Sequence, residues 1–221
     1  MTTTVLFLDL SRFTALTDIH GDQTAVDVAD HFITSATSAA DEIGGRLVKT
    51  LGDGALFVFD TPAAAIQAAD ATSHRLHDAE SMPEMTGGAA TGPVIDRDSD
   101  VFGATVNLAA RLADLAPSGE MRVDEATARA AAEDRWQVEP LGPVEVRGFH
   151  EPRAVFRLLL CHPEDCVVDP VCGMRITPGP ATPTSIDDNG GQVWFCSATC
   201  RDRFLDSATA GKGDDEERVD D

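Results

Sequence analysis

Two aspartates, Asp9 and Asp53, and three cysteines, Cys172, Cys196 and Cys200, are the residues whose type and setting first suggest chemistry. Asp9 follows a β-rich apolar run over residues 4–8, so it stands near the end of a strand. Asp53 lies in Leu51-Gly52-Asp53-Gly54, where the glycines suit a tight hairpin with a carboxylate at its tip. In a β-α-β-β arrangement the first strand lies beside the hairpin strands. Both carboxylates then converge at one sheet edge and can share hard divalent cations, which prefer oxygen ligands. Cations that bridge phosphate oxygens lower the charge cost of displacement at phosphorus and help deprotonate an attacking hydroxyl. Taken singly, Asp9 has a plainer reading as a strand-end acid, and Asp53 as a turn former.

The cysteines point to different chemistry. All five lie between Cys161 and Cys200, none in the larger N-terminal part, which argues against a disulfide framework and for a local metal site. Cys196 and Cys200 face the same way if they sit on the first turn of a helix, and Cys172 arrives from a Cys-Gly turn. Three soft thiolates suit zinc or copper(I) and lose their protons on binding.

The elements that must position these groups follow from periodicity. Residues 4–10 read as a strand, with a helix start at Phe13-Thr14. From 23 to 43, Val26, Ala29, Phe32, Ile33, Ala36, Ala40 and Ile43 recur at three-four spacing and stop at Gly44-Gly45, the pattern of a long amphipathic helix with a glycine cap. Residues 46–50 and 55–59 form a hairpin. Thr61-Pro62 then opens a helix to about residue 77, with proline in the first turn where a missing N–H costs nothing. A strand follows near 87–94. The predicted fold is α+β, a ferredoxin-like β-α-β-β-α-β core with an α/β extension over 103–160 and a small Cys-rich metal-binding module.

With these residues in view, three blocks resemble the signatures of class III nucleotide cyclases: Phe7-Leu8-Asp9-Leu10-Ser11-Arg12-Phe13-Thr14, Val48-Lys49-Thr50-Leu51-Gly52-Asp53-Gly54, and Asp100-Val101-Phe102-Gly103-Ala104-Thr105-Val106-Asn107-Leu108-Ala109-Ala110-Arg111-Leu112. They stand in the family's order and spacing, over roughly residues 4–160. The resemblance implies that Asp9 and Asp53 bind two Mg2+ or Mn2+ ions and that Phe13 and Thr14 offer backbone N–H groups to phosphates. It implies that Asn107 orients the ribose, while Arg111, four residues on and on the same helix face, stabilises charge on the α-phosphate.

Adenine presents an N1 acceptor beside an N6 donor, which Lys49 and Asp100 complement, whereas guanine reverses that edge. The resemblance therefore points to ATP, and to a head-to-tail homodimer whose two sites each draw metal residues from one subunit and base and transition-state residues from the other. Two positions depart from the family: Arg12 stands where glycine is usual, and Arg147 before Gly148 where lysine often binds triphosphate. Arginine still binds phosphate, and bidentately.

Asp169-Pro170-Val171-Cys172-Gly173-Met174 with Trp194-Phe195-Cys196-Ser197-Ala198-Thr199-Cys200 and Phe204 resembles the YHS domain, related to TRASH metal-binding modules. The fourth ligand is left open among Cys166, His162, Cys161 and water, and the metal among zinc and other soft ions. A unit this small lacks the core to fold unaided, so a structural zinc and a metal sensor are both readings of it. The expected domains are 1–162 for the cyclase part, 163–208 for the YHS-like module and 209–221 for a disordered acidic tail.

The formal net charge of −21 disfavours nucleic acid and anionic lipid as partners. No run approaches the roughly 20 apolar residues of a membrane span, and the chain opens directly on a strand, so a cytoplasmic location is expected. The leading expectation is an adenylate cyclase that releases pyrophosphate, with regulation by metal at the Cys module left open beside a purely structural role for that metal. The alternative is a silent cyclase-like module that binds nucleotide or dimerises and serves as a metal sensor. Completeness distinguishes them, because Asp9, Asp53, Asn107 and Arg111 are all present.

Overall fold

A computed structural model of the chain describes residues 2–79, 82–134, 136–160 and 167–210. The chain opens with β1 (Thr2–Leu10), α1 (Phe13–His20) and α2 (Asp22–Glu42), followed by the hairpin β2 (Arg46–Leu51) and β3 (Gly54–Phe59), then α3 (Pro62–Asp78) and β4 (Met85–Pro93). This is the β-α-β-β-α-β unit expected from periodicity, with sheet order β2-β3-β1-β4 and antiparallel pairing at each step. The Thr61 hydroxyl accepts from the Ala64 N–H at 3.2 Å and so caps α3, as the Thr-Pro signal requires.

A short hairpin, β5 (Ile95–Arg97) and β6 (Asp100–Phe102), leads into α4 (Ala104–Asp114). Next come β7 (Glu120–Asp124), α5 (Glu125–Glu133), β8 (Val138–Val144) and β9 (Arg153–Leu159). These extend the sheet to seven strands in the order β2-β3-β1-β4-β7-β9-β8, with β7 parallel to β4. The β5–β6 hairpin was not anticipated. Its turn is made by Asp98 and Ser99, both with positive φ, and this pair lacks the glycine that usually marks such a turn.

Strand alternation divides the core into two faces. Leu6, Leu8 and Leu10 of β1 and Ala55, Phe57 and Phe59 of β3 join α1, α2, α3 and α5 in one cluster. Val5 of β1 and Leu56 and Val58 of β3 join Val106, Ala109 and Leu112 of α4 in the other. The β3 strand is buried throughout, which is why it reads as an unbroken apolar run rather than an alternating one.

The C-terminal part contains β10 (Val167–Val168), β11 (Arg175–Ile176), β12 (Thr184–Ile186), β13 (Gln192–Trp194) and α6 (Ala198–Ala210). Its buried residues Cys172, Met174, Phe195 and Cys200 belong to the same cluster as Leu10, Leu16 and Met85 of the first part. The small unit therefore completes its core against the larger one. Helix α6 continues to Ala210, and residues 211–221, most of the expected tail, lie outside the described residues. Among the described residues, no helix is long and apolar enough to cross a membrane.

Candidate active site and metal centre

Asp9 pairs across the β1–β3 ladder with Gly54 and across β1–β4 with Thr86. Because Asp53 immediately precedes Gly54, the two carboxyl groups stand at adjoining ends of β1 and β3, close enough to interact electrostatically. Gly54 permits this approach: a Cβ there would come 2.8 Å from Asp9 Oδ1. Loss of water around the crowded Asp9 carboxyl, and then the neighbouring Asp53 charge, push its pKa up to about 7. Burial likewise raises Asp53, partly offset by hydrogen bonds from its own backbone and from Asp9. Two carboxylates that resist ionising together are a donor set suited to a divalent cation, whose charge would relieve that resistance.

The chain after Asp9 borders an open groove and then enters a helix. Arg12 takes a left-handed conformation (φ 57°) as the N-cap of α1 and makes no side-chain cap there, so the first N–H groups of α1, including those of Phe13 and Thr14, have no intrahelical acceptor. The buried Ser11 hydroxyl has no partner among the described residues. It lines a groove of about 640 Å³ with Asp9, Leu10, Arg12, Thr86 and Asp114.

Lys49 on β2 and Asp100 at the start of β6 meet with Nζ 2.6 Å from Oδ2. That hydrogen bond, with one from the Val101 N–H to Oδ1, holds the Asp100 carboxyl below the usual range. Asn107 and Arg111 both lie on α4, Asn107 exposed and Arg111 half-buried. Arg111 donates to Asp114 at 2.8 Å, and the Asp114 charge in turn adds to the upward push on Asp9. Asp114 thus connects the α4 residues to the aspartate edge, a role no motif position suggested. Arg147 is exposed in the turn between β8 and β9, and the structure shows no hydrogen bond joining it to the aspartates among the described residues.

The cysteine centre gathers Cys172, Cys196 and Cys200, with Cys200 in the first turn of α6 and Cys196 in the bend just before that helix rather than on it. Cys172 Sγ and Cys196 Sγ are 3.5 Å apart, as are Cys196 Sγ and Cys200 Sγ. The fourth group in the cluster is His20, the last residue of α1, whose Nε2 lies 3.6 Å from Cys196 Sγ. Sequence reading missed it because it precedes Cys196 by 176 positions and belongs to no metal-ligand spacing. Cys161, His162 and Cys166 lie outside the described residues.

Asp169, fully buried, organises the centre. Its Oδ1 accepts from the Val171 and Cys172 N–H groups at 2.8 and 3.3 Å, and its Oδ2 accepts from the Cys196 N–H at 2.8 Å. Burial opposes its ionisation, but those hydrogen bonds outweigh it and hold the carboxyl below the usual range. Without a cation, hydrogen bonding to Cys172 and then burial push the Cys196 thiol up, and burial above all pushes Cys200 up to about 12.

An α+β sheet with two aspartates at adjoining strand ends is the class of fold that comparison with known proteins also finds. The family model described as "Adenylate and Guanylate cyclase catalytic domain" matches residues 1–159. The chain belongs to that family.

An adenylate cyclase from Glutamicibacter nicotianae is 35% identical over 144 residues, covering 65% of this chain and 36% of the relative. One from Streptomyces coelicolor is 40% identical over 122 residues, covering 55% and 32%. The chain thus spans about a third of the length of these curated relatives. Among solved structures, the adenylate/guanylate cyclase/hydrolase from Silicibacter pomeroyi superposes with a TM-score of 0.63 at 24% identity, covering 73% of this chain and 98% of that one. The catalytic core of a rhodopsin-guanylyl cyclase with converted specificity, in complex with ATPαS, gives 0.66 at 21%, covering 72% and 96%. At these identities the likeness concerns the fold.

Proposed function

We propose that the protein is an adenylate cyclase that converts ATP to 3′,5′-cyclic AMP and pyrophosphate at the interface of a homodimer. The observation that carries this reading is the meeting of Asp9 and Asp53 beside a helix N-terminus. Asp9 and Asp53 are the residues that would hold Mg2+ or Mn2+. When bound, these cations supply charge neutralisation at the phosphates and a lowered pKa for the attacking 3′-hydroxyl.

The remaining work falls to the protein. The N–H groups of Phe13 and Thr14 orient the polyphosphate at the positive end of α1, and Arg147 adds positive charge near the leaving end. The Lys49 ammonium donates to adenine N1 and the Asp100 carboxylate accepts from the N6 amino group. Asn107 fixes the ribose so that its 3′-oxygen faces the α-phosphorus. Arg111 stabilises the negative charge that grows on the α-phosphate as the bond to the β-phosphate oxygen breaks.

Arg111 keeps 42% of its side chain exposed beside Asp114 on the same helix, which leaves it accessible to a partner subunit's nucleotide. Leu51, Phe102 and Leu115 are large apolar side chains left 42–48% exposed within two residues of Asp53, Asp100 and Asp114, as expected of a face that a second copy covers. We read the C-terminal unit as a YHS-like zinc module regulating the enzyme, and the protein as cytoplasmic. Its net charge of −21 disfavours nucleic acid and membrane surfaces as partners.

The test is cyclic nucleotide formation by purified protein supplied with ATP or GTP and Mn2+, beside Asp53→Ala. Cyclic AMP from the wild type and none from the variant is the expected result. Equal background from both would reject catalysis in favour of a silent nucleotide-binding module.

A further inference from the structure

The helix that carries the phosphate-binding N–H groups at one end carries His20 at the other. His20 Nε2 and the sulfurs of Cys172, Cys196 and Cys200 all lie within 4.8 Å of one another. A tetrahedral zinc with bonds of about 2.3 Å to sulfur and about 2.0 Å to nitrogen spaces its ligand atoms roughly 3.5–3.8 Å apart. The 3.5, 3.5 and 3.6 Å separations centred on Cys196 Sγ match that spacing.

Other contacts tie the same two parts together. Gly173, next to Cys172, lies against the phosphate loop, where an added Cβ would come 3.2 Å from the Ser11 carbonyl oxygen and from Arg12 Cβ. The Ser11 N–H donates to the Glu84 carbonyl at 2.8 Å, and the Glu84 N–H donates to the Gly173 carbonyl at 3.4 Å. On the outer side of α1, Arg203 of α6 forms an ion pair with Asp18.

We propose that His20 is the fourth ligand of a Cys3His zinc site that clamps α1 to the cysteine unit, and that filling this site fixes the phosphate loop at the opposite end of the helix. Helix α1 is only 8 residues long, so restraint at His20 reaches Phe13 through two turns of hydrogen-bonded backbone. In the metal-free protein four ligand groups with no shared cation remain, and among the described residues α1 meets the cysteine unit through packing, the His20–Cys196 contact and the Arg203–Asp18 pair. The proposal rests on the cyclase reading only for what the loop binds. The metal chemistry stands without it.

The experiment uses the full chain and reads metal rather than turnover. Co2+ serves as a spectroscopic probe, Zn2+ affinity is measured by chelator competition, and amide hydrogen exchange is followed over residues 11–20 with and without one equivalent of Zn2+. The wild type should bind one Zn2+, show the d–d and thiolate-to-cobalt bands of a tetrahedral site with three sulfurs and one nitrogen, and exchange more slowly over 11–20 when loaded. His20→Ala should weaken Zn2+ by at least about 10-fold, alter the cobalt bands and remove the metal-dependent protection. His20→Cys should recover affinity with a four-sulfur spectrum, which a misfolded protein could not do.

Unchanged affinity and cobalt bands in His20→Ala would overturn the ligand assignment. Zn2+-independent exchange over 11–20 in the wild type would overturn the coupling to the loop. Neither result depends on whether cyclic AMP is made, so failure of the cyclase reading is separately visible.

Discussion

Lys49 and Asp100 come from strands 51 positions apart and meet at 2.6 Å, the acidic oxygen receiving the ammonium. Reversing the donor–acceptor order at these two positions should reverse base preference. Lys49→Glu is expected to lower kcat/KM for ATP by at least about 100-fold, because the adenine N1 acceptor would then face an acceptor. Steady-state kinetics with ATP and GTP measure it. An ATP preference unchanged in this variant would remove the pair from base recognition.

Asp9 and Asp53 bear on stability as well as catalysis. A carboxyl group raised from 3.8 to about 7 in the folded state takes up protons on folding, so its contribution to stability falls as pH rises from about 4 to about 7. In metal-free protein Asp9→Asn should therefore raise Tm above pH 7, leave it nearly unchanged below about pH 4, and abolish activity. Mn2+ should raise the wild-type Tm at the higher pH and do so less in the variant. Thermal melts at both ends of the pH range, with chelator or Mn2+, decide this.

The division of labour between subunits can be tested by mixing. Asp53→Ala and Arg111→Ala should each be inactive alone. Random exchange of subunits makes half the dimers mixed, each with one intact site of two, so the mixture should recover roughly a quarter of wild-type activity. A mixture as silent as its components would mean that the residues act within one chain.

Helix α4 rests directly on β4 at Gly88, where an added Cβ would run into the Ala113 nitrogen and the Ala109 carbonyl oxygen. Gly88→Ala must push the helix outward and with it Asn107 and Arg111. A displacement near 1 Å costs on the order of 100-fold in rate where transition-state groups are concerned, so kcat should fall much more than ATP affinity. Nucleotide binding by calorimetry alongside turnover separates the two effects.

Asp169 receives three backbone N–H groups in the interior of the cysteine centre. Asp169→Ala leaves them without an acceptor, at a local cost on the order of 3 kcal/mol. Hydrogen exchange over residues 167–204 should accelerate, and Zn2+ affinity should fall although all four candidate ligands remain.

Much of the cyclase part was legible because its signals are local. The three-four spacing of α2, the Thr61-Pro62 start of α3 and the glycine-flanked Asp53 each act within a few residues, where backbone hydrogen bonding and side-chain direction are set by neighbours in the chain. The β5–β6 hairpin escaped notice because Asp98-Ser99 adopts its turn without glycine, and no buried face imposes a pattern on the exposed strand Ile95–Arg97.

The sequence alone determined the order of elements from β1 to β4 and which carboxylates, thiols and basic groups the chain brings to its chemistry, since those depend on residue type and short-range spacing. Tertiary structure decided that Asp114 of α4 would stand beside Asp9 of β1, that the cysteine unit would share a core with α1, and that His20 would close the cluster around Cys196. These choices are made by packing between surfaces remote along the chain, where the free energy lies in shape and burial rather than in any repeating pattern of residues.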